Sequence, residues 1–317
     1  MRVLVTGATG FVGRAVCTEL AQRKHGVHRS VRRLAGSGCR YFELGDIGSA
    51  TNWSGALEGV DAVVHLAARV HIMHEGAENP LKEFRKVNVA GTEHLARAAA
   101  ASGIKRFVYV SSIGVNGAQT VPGTSFSEAD QPNPHNAYAL SKWEAEQGLL
   151  RIAAETGMEV VIIRPPLVYG PGAPGNFGSL MRWLQRGVPL PLGAIHNQRS
   201  LVALDNLVDL IVTCLTHPAA ANQTFLVSDG EDVSITELLR RMGQAMGRPA
   251  RLIPVPVSWL KLAAALVGKQ DVAQRLCGSL QVDIEKTRRL LRWTPPLSLD
   301  EGLRRAAGVG SDTACGV

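Results

Sequence analysis

Tyr138 and Lys142 stand four residues apart in Tyr138-Ala139-Leu140-Ser141-Lys142, a spacing that sets both on one face of a helix, one turn from each other. A phenol with an ordinary pKa of about 10 is a poor base at neutral pH, and a neighbouring ammonium favours its phenolate. The pair suits proton transfer to and from a substrate hydroxyl. Ser112, closing an apolar strand pattern, adds a hydroxyl able to bond the same substrate oxygen. By itself a Tyr-x-x-x-Lys pair is as readily a polar helix surface. It gains meaning from the turn at the start of the chain.

That turn is Thr6-Gly7-Ala8-Thr9-Gly10-Phe11-Val12-Gly13, between an apolar strand and a helix. Gly7 permits the tight turn, Gly10 lets backbone approach a pyrophosphate, and Gly13 lets the helix pack closely on the strand. The free amides of the helix start favour phosphate. A dinucleotide site is expected at Gly7, Thr9, Gly10, Phe11, Val12 and Gly13. The end of the second strand, His28-Arg29-Ser30-Val31-Arg32-Arg33, lacks the acid that would bind the adenosine ribose of NAD. The guanidinium forks of Arg32 and Arg33 match a 2′-phosphate instead, so NADP(H) is favoured, with NAD(H) the alternative. Asp46 and Ile47 suit an adenine edge. Leu66, Ala67 and Ala68 would border the cofactor, with His65 a satisfied strand-end histidine.

The elements that must position these groups alternate. Arg2–Thr6, Val27–Val31, Arg40–Leu44, Ala62–Leu66, Phe107–Val110 and Val160–Ile163 read as buried strands. Val12–Arg23, Pro80–Ser102 and Ala137–Thr156 read as helices. The pattern predicts an α/β fold with a Rossmann-type, doubly wound parallel sheet over residues 1–164. After Pro165 the prolines and glycines of 165–175 predict a long irregular loop. Helices at Gly178–Arg186, Asp205–Thr216, Ile235–Met246 and Asp283–Leu291 and strands at Ser200–Ala203 and Thr224–Val227 then read as a smaller substrate-binding lobe, 165–307, interleaved with the core. Residues 308–317 read as a flexible tail. Trp183, Trp259 and Trp293 read as packing anchors.

The 317 residues are 45% hydrophobic and 19% charged, which excludes disordered and collagen-like chains. The net charge of +7 suits an anionic ligand, and no dense basic run interleaved with aromatics points to nucleic acid. No apolar run reaches the roughly 18–20 residues of a membrane span. The start, MRVLVTGATG, is a strand and turn rather than a signal peptide. Five scattered cysteines, never in CxxC spacing, argue against a disulfide framework or a metal site and fit a reducing cytoplasm.

Taken together, TGATGFVG at 6–13, HLAA at 65–68, KVNVAGT at 86–92, VSSIGVNG at 110–117, YALSK at 138–142 and RPPLVYGPG at 164–172 resemble an extended short-chain dehydrogenase/reductase of the nucleotide-sugar epimerase/dehydratase type. QRSLVALDNLVDL at 198–210 resembles the segment carrying the diphosphate-binding arginine of UDP-sugar 4-epimerases. The resemblance spans about residues 1–305. It implies Ser112, Tyr138 and Lys142 as catalytic residues, Asn88 as a structural or relay residue near Lys142, and Pro165 lining the nicotinamide. It also implies Asn176, Arg199 and Arg275 as contacts to the substrate diphosphate, and a homodimer through the helices at 80–102 and 137–156. Ile113-Gly114 replace the Asp-Glu pair of sugar-nucleotide 4,6-dehydratases, so dehydration lacks its acid and base.

The expected activity is hydride transfer at C4 of a UDP-sugar. The basic strand end favours a 4-keto reductase ahead of a UDP-sugar 4-epimerase. With SSIGVNG it resembles bacterial enzymes of surface-polysaccharide sugar synthesis, which implies a UDP-linked N-acetyl sugar, 6-deoxy or not, as the substrate. A steroid or aldehyde reductase is disfavoured by Arg199 and the positive charge. A non-catalytic NADP-binding sensor would have no need of the three catalytic groups together.

Overall fold

The structure, a computed structural model, describes residues 1–33, 41–70, 79–268 and 270–308. Its first half runs β1 (Arg2–Thr6), α1 (Phe11–Gln22), β2 (Gly26–Val31), β3 (Tyr41–Glu43), α2 (Ser54–Leu57), β4 (Ala62–His65), α3 (Pro80–Phe84), a π-helical stretch Arg85–Gly91, α4 (Thr92–Ala101) and β5 (Arg106–Val110). A 3-10 turn at Ile113–Val115 leads to α5 (Ala137–Thr156) and β6 (Glu159–Arg164). There follow β7 (Leu167–Tyr169), α6 (Gly175–Gln185), β8 (Arg199–Ala203), α7 (Leu204–Thr216), β9 (Thr224–Leu226), β10 (Asp232–Val233) and α8 (Ile235–Ala245). The last elements are α9 (Val257–Leu266), α10 (Gln270–Cys277), α11 (Glu285–Leu291) and α12 (Leu299–Ala306).

Seven parallel strands form the main sheet in the order β3-β2-β1-β4-β5-β6-β9. Branched and apolar residues on both faces of these strands require cover on both sides. Val16 and Leu20 of α1 and Leu207 and Ile211 of α7 bury one face with Val3, Val5 and Val161. Leu95 of α4 and Leu149 and Ile152 of α5 bury the other with Leu4, Phe107 and Ile162. The strand order reverses between β1 and β4, which opens a crevice at their carboxyl ends where such sheets bind ligands. Gly7, Ser112 and Tyr138 all lie toward that edge.

A second sheet, β10-β8-β7, packs with α6, α8 and α12 around Phe177, Leu239 and Leu303. Here the structure departs from the pattern read along the chain. Thr224–Val227 was expected in the smaller lobe, but β9 pairs in parallel with β6 (Ile162 beside Thr224) and belongs to the main sheet. The chain leaves the sheet at Arg164 and comes back to its edge, and local spacing carries no sign of that return. The proline- and glycine-rich loop shelters β7. The helix expected over Pro80–Ser102 is interrupted by the π-helical stretch, whose wider turns carry Asn88. Trp293 is buried as expected, whereas Trp183 and Trp259 are exposed. Helices α9, α10 and α12 were unanticipated. The Ser298–Glu301 capping box was the missed signal for α12. Arg40, Cys39, Cys315 and the tail beyond Gly308 lie outside the described residues. Among the described residues no helix is long and apolar enough to cross a membrane.

Candidate active site

Helix α5 starts where Asn136 caps it, the side-chain oxygen accepting from the Ala139 amide at 2.8 Å. It ends at Gly157, which adopts the left-handed conformation (φ 73°). That fixed register puts Tyr138, Lys142 and Glu146 on one stripe. Lys142 is buried, and its ammonium donates to the Val110 carbonyl at 2.8 Å, with the Tyr109 ring centroid 4.1 Å away. Lys142 is thus tied to the carboxyl end of β5, two residues before Ser112. The Ser112 Oγ accepts from the Gly114 amide at 3.1 Å. A Cβ added at Gly114 would lie 3.3 Å from both Ser112 Oγ and the Ala139 Cβ, so the serine turn packs on the first turn of α5. Tyr138, half-buried, stands edge-on to Phe84 at 6.0 Å. Lys142 and the serine turn thus meet at one end of β5, and Tyr138 stands one helical turn before Lys142, next to the Ala139 that packs on that turn.

Burial pushes the Tyr138 phenol up to about 12. It pushes the Lys142 ammonium down to about 7, with the Glu146 carboxylate opposing that fall. Glu146 and Arg164 form a pair that sequence reasoning missed. Their side chains are 1% and 7% exposed, and Arg164 Nη2 donates to Glu146 Oε2 at 2.6 Å. Arg164 Nη1 also donates to Asn116 Oδ1 at 3.0 Å. The pair bolts α5 to β6 one turn beyond Lys142. The spacing of Glu146 from Lys142 was the available signal. Asn88 lies beside this helix as expected, but its contact is with Ser141 Oγ (2.9 Å), the neighbour of Lys142. Its other bonds hold the Arg69 backbone.

The glycine turn fits a dinucleotide. Gly7 holds φ +66°, and a Cβ there would lie 2.9 Å from the Ala67 amide. A Cβ at Gly13 would drive into the Gly7 carbonyl. The turn can therefore seat α1 this close to β1 and β4 only with glycine at both places. Gly10 caps α1 with no side-chain acceptor, and its first turn holds no acid, leaving the amides of Phe11, Val12 and Gly13 to face a phosphate. Thr9 and Gly10 are exposed at the tip.

Leu66, Ala67 and Ala68 flank this turn, and a histidine locks them. Thr6 Oγ1 accepts from the Leu66 and Ala67 amides, each at 3.2 Å, so its proton goes to His65 Nδ1 at 2.6 Å. His65 Nε2 then donates to Thr92 Oγ1 at 2.9 Å. Burial pushes this neutral His65 down to about 3. Because the folded pKa lies below the unfolded value of 6.5, stability is complete above that pH and is lost as pH falls toward 3. The expected loss from this group is about 1.4 kcal/mol per pH unit, read as the unfolding midpoint in denaturant, and His65→Gln should flatten the slope.

Arg32 and Arg33 are exposed directly past β2, so the basic strand end stands where the sequence pattern put it. Arg32 is 3.5 Å from the Asp46 carboxylate across the adjacent strand ends. Ile47 packs beside Gly91 of the π-helical stretch. Pro165, buried, accepts from the Ile113 amide at 3.0 Å and so joins the end of β6 to the serine turn. In the smaller lobe, Arg199 Nη1 donates to the carbonyls of Arg275 (2.8 Å) and Gly278 (3.0 Å). Arg199 and Arg275 are thus brought together, through the Arg275 backbone. The Nε and Nη2 donors of Arg199 have no partner among the described residues. Asn176 is exposed at the start of α6, and among the described residues no hydrogen bond joins it to the two arginines.

A profile of the NAD dependent epimerase/dehydratase family matches residues 3–228, from the first strand through β9. The chain belongs to this family. It is 48% identical over 311 residues to UDP-glucose 4-epimerase of Vibrio cholerae, covering 96% of this chain and 94% of that protein. The structure of MoeE5 in complex with UDP-glucose and NAD is 26% identical, with a TM-score of 0.77 and 98% of each chain covered. The structure of UDP-glucuronic acid 4-epimerase from Bacillus cereus, with UDP-glucuronic acid and NAD, is 21% identical. Its TM-score of 0.78 over 98% of each chain shows the shared fold. As an epimerase/dehydratase family member the chain is an enzyme, and its parallel seven-stranded sheet is the Rossmann-type fold expected from the motifs.

Proposed function

We propose that the protein is a UDP-sugar 4-epimerase, with Ser112, Tyr138 and Lys142 as its catalytic residues. The meeting of Lys142 and the serine turn at the carboxyl end of β5, with Tyr138 one helical turn before Lys142, carries the reading, and the near full-length likeness to a UDP-glucose 4-epimerase supports it. This reverses the order of the two readings set out from sequence. When bound, the nicotinamide dinucleotide supplies the acceptor and donor of the C4 hydride. Ser112 holds the C4 oxygen, and Tyr138 takes its proton as the C4–H leaves. The Lys142 ammonium favours the Tyr138 phenolate against the burial that raises its pKa. After the keto sugar turns over, Tyr138 would return the proton to the C4 oxygen.

Arg199 supports a nucleoside diphosphate substrate, because its unpartnered donors offer a guanidinium to the phosphates. Arg199→Ala should weaken UDP binding by about 1.5–3 kcal/mol in titration calorimetry, with dinucleotide affinity unchanged. Equal losses for both ligands would remove Arg199 from the substrate site. Arg275 and Asn176 would flank the same phosphates.

Arg32 and Arg33 favour the second reading, a 4-keto reductase of UDP-linked sugars that takes hydride from NADPH. One experiment separates the two. Purified protein is incubated with UDP-glucose or UDP-galactose without added nucleotide, and the nucleotide released on denaturation is identified. Interconversion with retained NAD supports the epimerase. No interconversion, with tighter binding of NADPH than of NADH, supports the reductase.

A homodimer through the helices at 80–102 (α3, the π-helical stretch and α4) and 137–156 (α5) is part of the proposal. Between them lies a groove of about 830 Å³ lined by Val89, Ala90, Trp143 and Arg151.

A further inference from the structure

Helix α9 is apolar almost throughout, VSWLKLAAAL, yet none of its residues is buried. Val257 and Leu260 lean on the core of the smaller lobe. Trp259, Leu262 and Leu266, at i, i+3 and i+7, line the opposite stripe and face water. Trp259 is 71% exposed and Leu266 81%. Val267 just beyond the helix, Val272 on the neighbouring α10 and Ile253 before α9 are exposed as well. Exposed apolar side chains scattered singly are ordinary, but a run of this density on one helical hairpin marks a contact surface.

Charge selects the partner. The chain from 247 to 278 carries Arg248, Arg251, Lys261, Lys269 and Arg275 against the single acid Asp271. Arg248, Arg251 and Lys261, which the substrate site does not use, are exposed, and among the described residues none of the three is in an ion pair. A second copy docking through the same patch would set these cations against their own counterparts. An anionic lipid surface would complement them while accepting the apolar stripe. A tryptophan and leucines on one face with basic residues alongside is the pattern of a helix that lies in the headgroup region.

We infer that the α9–α10 hairpin docks the protein peripherally on an anionic membrane surface, the Trp259–Leu262–Leu266 stripe entering the interface and the basic residues meeting the headgroups. Arg199 holds the Arg275 carbonyl of this hairpin, so the docked face adjoins the end of the molecule where the substrate phosphates are proposed to sit.

The test is co-sedimentation of the full chain with vesicles of phosphatidylcholine alone and with roughly one third phosphatidylglycerol. At low salt the bound fraction should be at least about tenfold higher on the anionic vesicles and should fall as salt rises. The triple variant W259E/L262E/L266E should lose this binding while keeping UDP affinity, which shows that it folds. Equal sedimentation of native protein on both vesicles, or of variant and native protein on the anionic ones, would overturn the inference. So would a native protein that ignores vesicles but forms an oligomer the triple variant breaks, because the stripe would then be covered by another copy of the chain.

Discussion

Tyr138→Phe should lower turnover by about 10²–10⁴-fold, the usual contribution of a positioned acid–base group, while dinucleotide and UDP affinities change by less than about twofold. The change removes one hydroxyl and leaves the ring against Phe84, so the α5 surface keeps its shape. The measurement is single-turnover oxidation of UDP-glucose followed by nicotinamide absorbance, beside calorimetric titration of both ligands. A phenylalanine variant working near the native rate would take Tyr138 out of the mechanism. An affinity loss as large as the rate loss would make it a binding residue.

Glu146→Ala should destabilise the protein by about 3–5 kcal/mol, because it leaves the Arg164 guanidinium buried without its counter-charge. Arg164 would keep only its bond to Asn116 within this group. Chemical denaturation gives the stability. Glu146→Gln, which retains a hydrogen-bond acceptor but not the charge, should fall between native and alanine proteins. Because the Glu146 carboxylate opposes the burial that depresses Lys142, both variants should also lower the pH at which Lys142 loses its proton. An alanine variant as stable as the native chain would mean that water enters and solvates Arg164.

Much of the site could be read in the sequence because its signals are local. The glycine turn and the Tyr138–Lys142 spacing each fit within one or two helical turns. The position of Arg32 and Arg33 just past β2 was legible for the same reason, since the strand Val27–Val31 is a short local pattern that the two arginines end. What escaped was made by distant parts of the chain. The partner of Glu146 lies across the interface of α5 with β6, and on paper each looks like any surface charge. Arg199 appeared free for phosphate, whereas part of its guanidinium is spent on α10, a helix that sequence reasoning did not anticipate. Helix α9 was hidden because it is apolar on nearly every side and shows no period to detect. The tryptophan in its first turn was assigned to packing on residue type alone, and exposure is set by what the rest of the chain puts beside it.

The return of β9 to the main sheet bears on how such enzymes can be recombined. A chimaera joined after Arg164 would hand its acceptor a β6 with an open, apolar hydrogen-bonding edge, and would strip α7 from the valines of β1. Such a hybrid should aggregate rather than change its sugar preference. A crossover that respects the architecture keeps α7 and β9 with the nucleotide half and exchanges the surrounding segments as inserts. A change of sugar preference is therefore expected to need only those inserts, because the sheet itself holds the two halves of the chain together.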